Sequence, residues 1–83
     1  AETLVQRIAA DPGDLDARLK LAQRHVAENQ YEPALEQLLE IIRRDRKFND
    51  DAGRKTMLSV LNLLGGQGEL VSKYRRLMAS ALN

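Results

Sequence analysis

Apolar residues recur at three- and four-residue intervals along most of the chain, and the clearest run lies between residues 11 and 46. This spacing places side chains on one face of an α-helix and predicts two amphipathic helices. Asp14 can cap the first helix, Asn29 and Gln30 end it, and Pro33 falls in the first turn of the second. A connection this short makes the two helices antiparallel neighbours that share their apolar faces. The apolar positions are Leu15, Leu19, Leu21, Ala22, His25 and Val26, then Tyr31, Ala34, Leu35, Leu38, Leu39, Ile41 and Ile42.

The order of small and large residues within this pair is more specific than its amphipathicity. The residues that carry the order are Leu21, Ala22, His25, Ala34 and Leu38. Their intervals resemble those of one tetratricopeptide repeat, a helix-turn-helix of about 34 residues. Ala22 and Ala34 would let the two backbones approach closely. The repeat is degenerate, because Arg18, His25 and Arg46 replace its usual Trp, Tyr and Pro.

The segments on either side extend the same pattern. Residues 1–10 carry an apolar face that would pack on the following helix, through Leu4 and Ile8, and they correspond to the end of a preceding repeat. Residues 47–83 correspond to a degenerate C-terminal helix pair divided by a cluster of glycines at 65–68. The predicted fold is therefore all-α, with about five helices in antiparallel hairpins of tetratricopeptide-repeat type, as a single domain over residues 1–83.

A charged connector, residues 43–51, joins the two halves. The favoured interpretation is a solvated helix end, where arginines interact well with the negative end of the helix dipole. A partner-binding role stays open for Arg43, Arg44, Arg46 and Lys47. Within the connector, Phe48 is expected to anchor the chain to the core, and Asp50 or Asp51 to cap the next helix.

Composition narrows the function classes. With 13 basic and 12 acidic residues, the formal charge of +1 gives no electrostatic case for nucleic acid or membrane as a partner. The chain has no cysteine, which excludes disulfides and thiolate chemistry. The glycine-rich stretch at 65–68 lacks the preceding strand of a phosphate-binding loop, and His25 is interpreted as a buried or half-buried filler. The sequence therefore indicates no enzyme, no cofactor and no metal site.

Protein binding is the remaining class. Helical repeats present an inner surface that is formed by the first helix of each pair and usually binds peptide segments. The residues expected to face this groove are Leu19, Gln23 and Val26 on one helix and Arg54, Lys55 and Ser59 on the next. Leu19 and Gln23 do not match the Lys and Asn with which some repeat proteins clamp C-terminal carboxylates.

A second resemblance rests on the stretch LLEIIRRDRKFNDDAGRKTML and on the later YRRLMASAL. Together they are similar to the C-terminal domain of bacterial thioredoxin-like proteins that carry degenerate tetratricopeptide repeats, the chaperedoxin family of co-chaperonins. The resemblance extends from about Leu4 to Leu82. It implies a non-catalytic, cytoplasmic module that follows a thioredoxin-like domain, holds unfolded clients and contacts the chaperonin. By position, Lys73, Arg75 and Arg76 on the last helix would form the contact surface.

Two other functions stay open. The chain can be a structural module that packs against its own N-terminal domain or forms a homodimer, because Leu4 and Ile8 need cover. It can also be a peptide-binding repeat adaptor from an unrelated scaffold.

Overall fold

Five α-helices make up most of residues 2–83, the part of the chain that the computed structural model describes. In chain order they are α1 (Glu2–Ala10), α2 (Leu15–Ala27), α3 (Tyr31–Asp45), α4 (Phe48–Leu63) and α5 (Glu69–Leu82). The predicted all-α fold and its number of helices are confirmed. The predicted segment 1–10 starts at Ala1, which lies outside the described residues.

The antiparallel pair α2 and α3 forms as its sequence predicts. Asp14 caps α2, since its Oδ1 accepts a hydrogen bond from the backbone N–H of Ala17 at 3.1 Å. Asn29 adopts the left-handed conformation, with φ at 62°, and the N–H of Gln30 donates to the carbonyl of His25 at 2.7 Å. Pro33 lies in the first turn of α3. The two ends and the turn are therefore determined by local residues.

The centre of the molecule is α3, which packs against α2, α4 and α5. Its buried residues are Ala34, Leu35, Leu38, Leu39, Ile41 and Ile42. Leu35 and Leu38 are fully buried, and burial of a side chain of this size contributes about 1.5–3 kcal/mol. Every buried side chain in residues 3–83 is apolar, so the charged residues of that range lie on the surface.

The connector between α3 and α4 is a left-handed turn. Asn49, Asp50 and Asp51 have φ values of 50°, 59° and 62°, and right-handed helix follows from Ala52. Asn and Asp tolerate this conformation because their short side chains can hydrogen-bond locally. Phe48 is half-buried and packs against the core, which confirms its predicted anchoring role.

The predicted capping of α4 is wrong. Within residues 2–83, neither Asp50 nor Asp51 accepts a hydrogen bond from the backbone of α4. Their carboxylates instead form ion pairs one turn ahead, Asp50 with Lys55 at 3.0 Å and Asp51 with Arg54 at 3.9 Å.

The last helix packs mainly on α3 rather than on α4. It contributes Val71 and Tyr74 to the core, and its other apolar residues are half-buried. Lys73 pairs with Glu32 at the start of α3 at 3.3 Å, and Arg46 at the end of α3 donates to the carbonyl of Leu82 at 2.7 Å. Because the start meets the start and the end meets the end, α5 runs in the same direction as α3.

The first helix packs on α2, as the sequence predicts. Leu4 and Ile8 are half-buried, whereas Val5 remains 53% exposed. An ion pair joins Arg7 to Asp14 at 3.0 Å across the turn between the helices. In residues 2–83, no helix combines the length and the apolar character needed to cross a membrane.

Gly53 generates a first prediction, because α4 approaches α3 closely there. A Cβ at this position would lie 3.0 Å from Cγ2 of Ile41 and 3.1 Å from Cγ1 of Ile42, and both isoleucines are buried. We expect Gly53→Val to destabilise the protein by about 2 kcal/mol through overpacking. Gly53→Ala should lose most of the gain of about 1 kcal/mol that this change usually brings inside a helix. Urea denaturation measures both changes. A Gly53→Ala variant with the full gain in stability would show that the isoleucines move aside easily.

The cap of α2 generates a prediction about pH. The hydrogen bond from the Ala17 N–H, followed by the one from Arg7, lowers the pKa of Asp14 below its usual value. Because its pKa is lower in the folded state, the Asp14 carboxylate contributes stability to the folded protein. This stability is present above the unfolded-state pKa, about 4, and is lost as pH falls through the folded-state pKa. We expect Asp14→Asn, which retains a capping side chain, to reduce the acid-induced fall in melting temperature. Glu28→Gln removes an exposed carboxylate from the opposite end of α2, just after its last residue, and should leave that fall unchanged. Equal effects of the two substitutions would contradict the assignment to Asp14.

Candidate functional site

Two basic side chains of α5 share one exposed surface. Lys73 and Arg76 are one helical turn apart and line an open cavity of about 600 Å³ at the start of the helix. Gly68, Glu69 and Ser72 line the rest of it. The sequence predicted the two cations at this surface, but not the acidic and polar neighbours that share the cavity with them.

Lys73 also holds α5 against α3. Its Nζ lies 3.3 Å from a carboxylate oxygen of Glu32 and 5.3 Å from the centre of the Tyr74 ring. An exposed ion pair of this kind contributes at most about 1 kcal/mol, so the ammonium can exchange Glu32 for a carboxylate of a partner. Glu32 stands 41 positions before Lys73, and nothing in the sequence pattern links the two residues. Only the packing of α5 on α3 brings them together.

Arg76 is the freer cation of the two. Within residues 2–83 its guanidinium forms no ion pair, and its side chain is exposed. A guanidinium presents a planar set of donors that matches a carboxylate. Arg76 is therefore well suited to bind an acidic group that enters the cavity.

Arg75 does not belong to this surface. Successive residues on an α-helix are rotated by about 100°, which directs Arg75 away from Lys73 and Arg76. Its guanidinium lies beside Gly66 in the loop that precedes α5. The three cations that the sequence groups together are thus divided into a pair and a single residue.

The predicted groove residues of α2 and α4 occupy different environments. Leu19 is only 7% exposed and belongs to the core, so the expectation that it faces an open groove is wrong. Leu19 lies in the apolar stripe of α2 and packs against the other helices. Helical periodicity alone cannot distinguish such a core position from a position that binds a partner. Val26 is half-buried and also packs against the core, whereas Gln23 is exposed.

On α4, the predicted groove residues are accessible but partly paired. The ion pairs with Asp51 and Asp50 engage Arg54 and Lys55, and Ser59 is exposed. Exposed pairs of this kind are weak and leave the cations available to a partner.

His25 is half-buried, and its Nδ1 lies 2.8 Å from Oε1 of Gln30. The hydrogen bond joins the last turn of α2 to the residue that precedes α3, and the interpretation of His25 as a filler is confirmed. Among residues 2–83, no three acidic or histidine side chains converge as metal ligands would.

Comparison with known protein families gives a match over the full length. The family model described as "Tetratricopeptide repeat" matches residues 1–83. No curated protein and no solved structure matches the chain.

The environment of Tyr74 generates a prediction for alkaline pH. Burial raises the pKa of this phenol above its usual value, and the negative charges of Glu36 and Glu32 raise it further. The folded protein therefore holds this proton more tightly than the unfolded protein does. The resulting stability is fully present below the unfolded-state pKa, about 10, and is lost as pH rises through the folded-state pKa. We expect Tyr74→Phe to reduce the alkaline fall in melting temperature, because it removes the buried phenol. Tyr31→Phe is the matched control, because the chain has two tyrosines. Equal reductions in the two variants would contradict the assignment to Tyr74.

Proposed function

The chain belongs to the tetratricopeptide-repeat family, whose repeats mediate interactions between proteins, and we propose that it is a module that binds the chaperonin and unfolded client proteins. Members of the family are typically non-catalytic. In this proposal, residues 11–46 form one repeat, residues 1–10 the end of a preceding one, and residues 47–83 a degenerate terminal pair. The module works in the cytoplasm beside an upstream thioredoxin-like domain. The support for this context is the resemblance of residues 38–58 and 74–82 to the chaperedoxin family.

The observation that carries the proposal is the exposed cation pair of α5. Lys73 and Arg76 line one open cavity, and Arg76 has no ion-pair partner in residues 2–83. The helix that bears them is fixed to the core by Val71 and Tyr74. A rigid helix with two adjacent cations loses little conformational entropy when an acidic surface binds it.

A structural role is the second candidate, and Val5 favours it. This side chain is 53% exposed on α1, a helix that packs mainly on α2. An adjoining domain of the same protein, or a second copy of the chain, could cover Val5. Under this candidate the protein self-associates or remains inert towards chaperonin, and sedimentation equilibrium measures its mass directly.

The test is size-exclusion co-elution of the protein with bacterial chaperonin. We expect the wild type to co-elute and the double variant Lys73→Ala/Arg76→Ala to bind about 2- to 30-fold more weakly, since each exposed ion pair contributes about 0.2–1 kcal/mol. Arg75→Ala is the matched control, because it removes a neighbouring cation that lies outside the cavity. Circular dichroism of each variant verifies that loss of the Lys73–Glu32 pair has not unfolded α5.

Two outcomes would oppose the proposal. A wild-type protein that elutes apart from the chaperonin at micromolar concentration would exclude direct contact and favour the structural role. Equal losses in Arg75→Ala and in the double variant would show that α5 acts through its overall charge and not through the cavity.

A further inference from the structure

A second cavity lies at the opposite end of α5 from the cavity that Lys73 and Arg76 line. It has a volume of about 340 Å³ and is formed where α3 ends, α4 begins and α5 ends. Its lining residues are Arg46, Lys47, Asp51, Arg54 and Leu82. We refer to these five residues as the corner cavity.

The charge of the corner cavity is markedly positive. Three of its lining side chains are cationic and one is a carboxylate, whereas the whole chain has a formal charge of only +1. The lining side chains of this one concave site therefore have a net charge of +2. Such a concentration attracts anions more strongly than the same charges would if spread over the surface.

The three cations differ in how firmly they are held. The guanidinium of Arg46 donates to the carbonyl of Leu82 at 2.7 Å, which fixes it at the end of α5. Arg54 approaches Asp51 no closer than 3.9 Å, a distance too long for a hydrogen bond. Lys47 forms no ion pair within residues 2–83, and its side chain is exposed. Lys47 and Arg54 therefore have donors available for a ligand.

The backbone adds a second contribution. No side chain in residues 3–83 caps the start of α4, although the carboxylates of Asp50 and Asp51 lie in its first turn and Asp51 lines the cavity. Uncapped N–H groups at a helix start favour a negative charge. The ends of α3 and α5 meet at the same cavity and carry the opposite partial charge, so the cationic side chains decide the charge of the site.

We propose that the corner cavity binds carboxylate side chains of an acidic protein segment. The cations hold the carboxylates, and Leu82 offers an apolar wall to a neighbouring apolar side chain of that segment. The choice of a protein as occupant rests on the proposed function, but the site is separate from Lys73 and Arg76. This proposal gives the charged connector a binding role through Arg46 and Lys47. Arg44, in the same connector, instead forms an ion pair with Glu40 at 2.7 Å.

The test is a titration of the isotope-labelled protein, followed by amide NMR, with a short peptide of glutamates around one leucine. We expect saturable shifts at Lys47, Arg54 and Leu82, which weaken as salt is added. The same peptide with glutamine in place of glutamate should give no saturable shift. The variant Lys47→Ala/Arg54→Ala should bind the acidic peptide about 3- to 10-fold more weakly, since two exposed charge contacts are lost. Arg46 is left unchanged because it holds α5.

The matched control is Lys20→Ala/Arg24→Ala, which removes two exposed cations of α2 from outside the cavity. It should bind like the wild type. An equal loss in both double variants, shifts spread over all basic residues, or the absence of shifts at the corner cavity would overturn the proposal. Stronger shifts at the same residues with a single-stranded oligonucleotide than with the peptide would also overturn it, since the occupant would then be a nucleic acid.

The outcome is independent of the chaperonin experiment. If the protein fails to co-elute with chaperonin but the peptide binds at the corner cavity, the proposed function fails and this inference stands. If co-elution succeeds through Lys73 and Arg76 while the peptide leaves the corner cavity unchanged, the inference fails and the proposed function stands.

Discussion

The burial of α3 against three other helices is the interaction on which the rest of the structure depends. Its apolar residues face α2 on one side and α4 and α5 on the others, and no charged group is buried in residues 3–83. A chain of 83 residues buries a smaller fraction of its surface than a larger domain does. Its stability therefore depends on close packing around this one helix, as the contact of Gly53 with Ile41 and Ile42 illustrates.

The core takes up most of the apolar residues, although Val5, Leu58 and Leu63 remain exposed. The rest of the surface differs from place to place mainly in where helix ends bring charges together. The corner cavity forms where three helix ends meet, and the cavity lined by Lys73 and Arg76 forms at the start of α5. Both are concave and both carry more than one cation. Arg75 is also exposed but lines neither of them.

The polar contacts that fix α5 lie at the same places as the two candidate surfaces. Lys73 contacts Glu32 near the start of α3, and Arg46 contacts Leu82 near its end. A partner that competes for Lys73 would therefore act on a contact that positions the helix. The buried Val71 and Tyr74 hold α5 in place independently of these surface contacts.

Local signals in the sequence were reliable where neighbouring residues decide the structure. Asp14 caps α2, Asn29 takes the left-handed turn and Pro33 lies in the first turn of α3, because each preference arises within a few residues of the chain. The sequence also placed Phe48 against the core. It could not place Leu19, since an apolar stripe has the same period whether another helix or a partner covers it.

By itself, the sequence determined the all-α class, the five helices and the antiparallel α2–α3 pair, since helical periodicity and turn residues are local properties. Only the tertiary structure decided that α5 packs on α3, that Lys73 meets Glu32 and that Arg46, Lys47 and Arg54 share a cavity with Leu82. These contacts join residues far apart in the chain. They follow from which apolar faces cover one another. Because the hydrophobic effect that drives this burial is not directional, the apolar pattern of one helix cannot specify which helix packs on it.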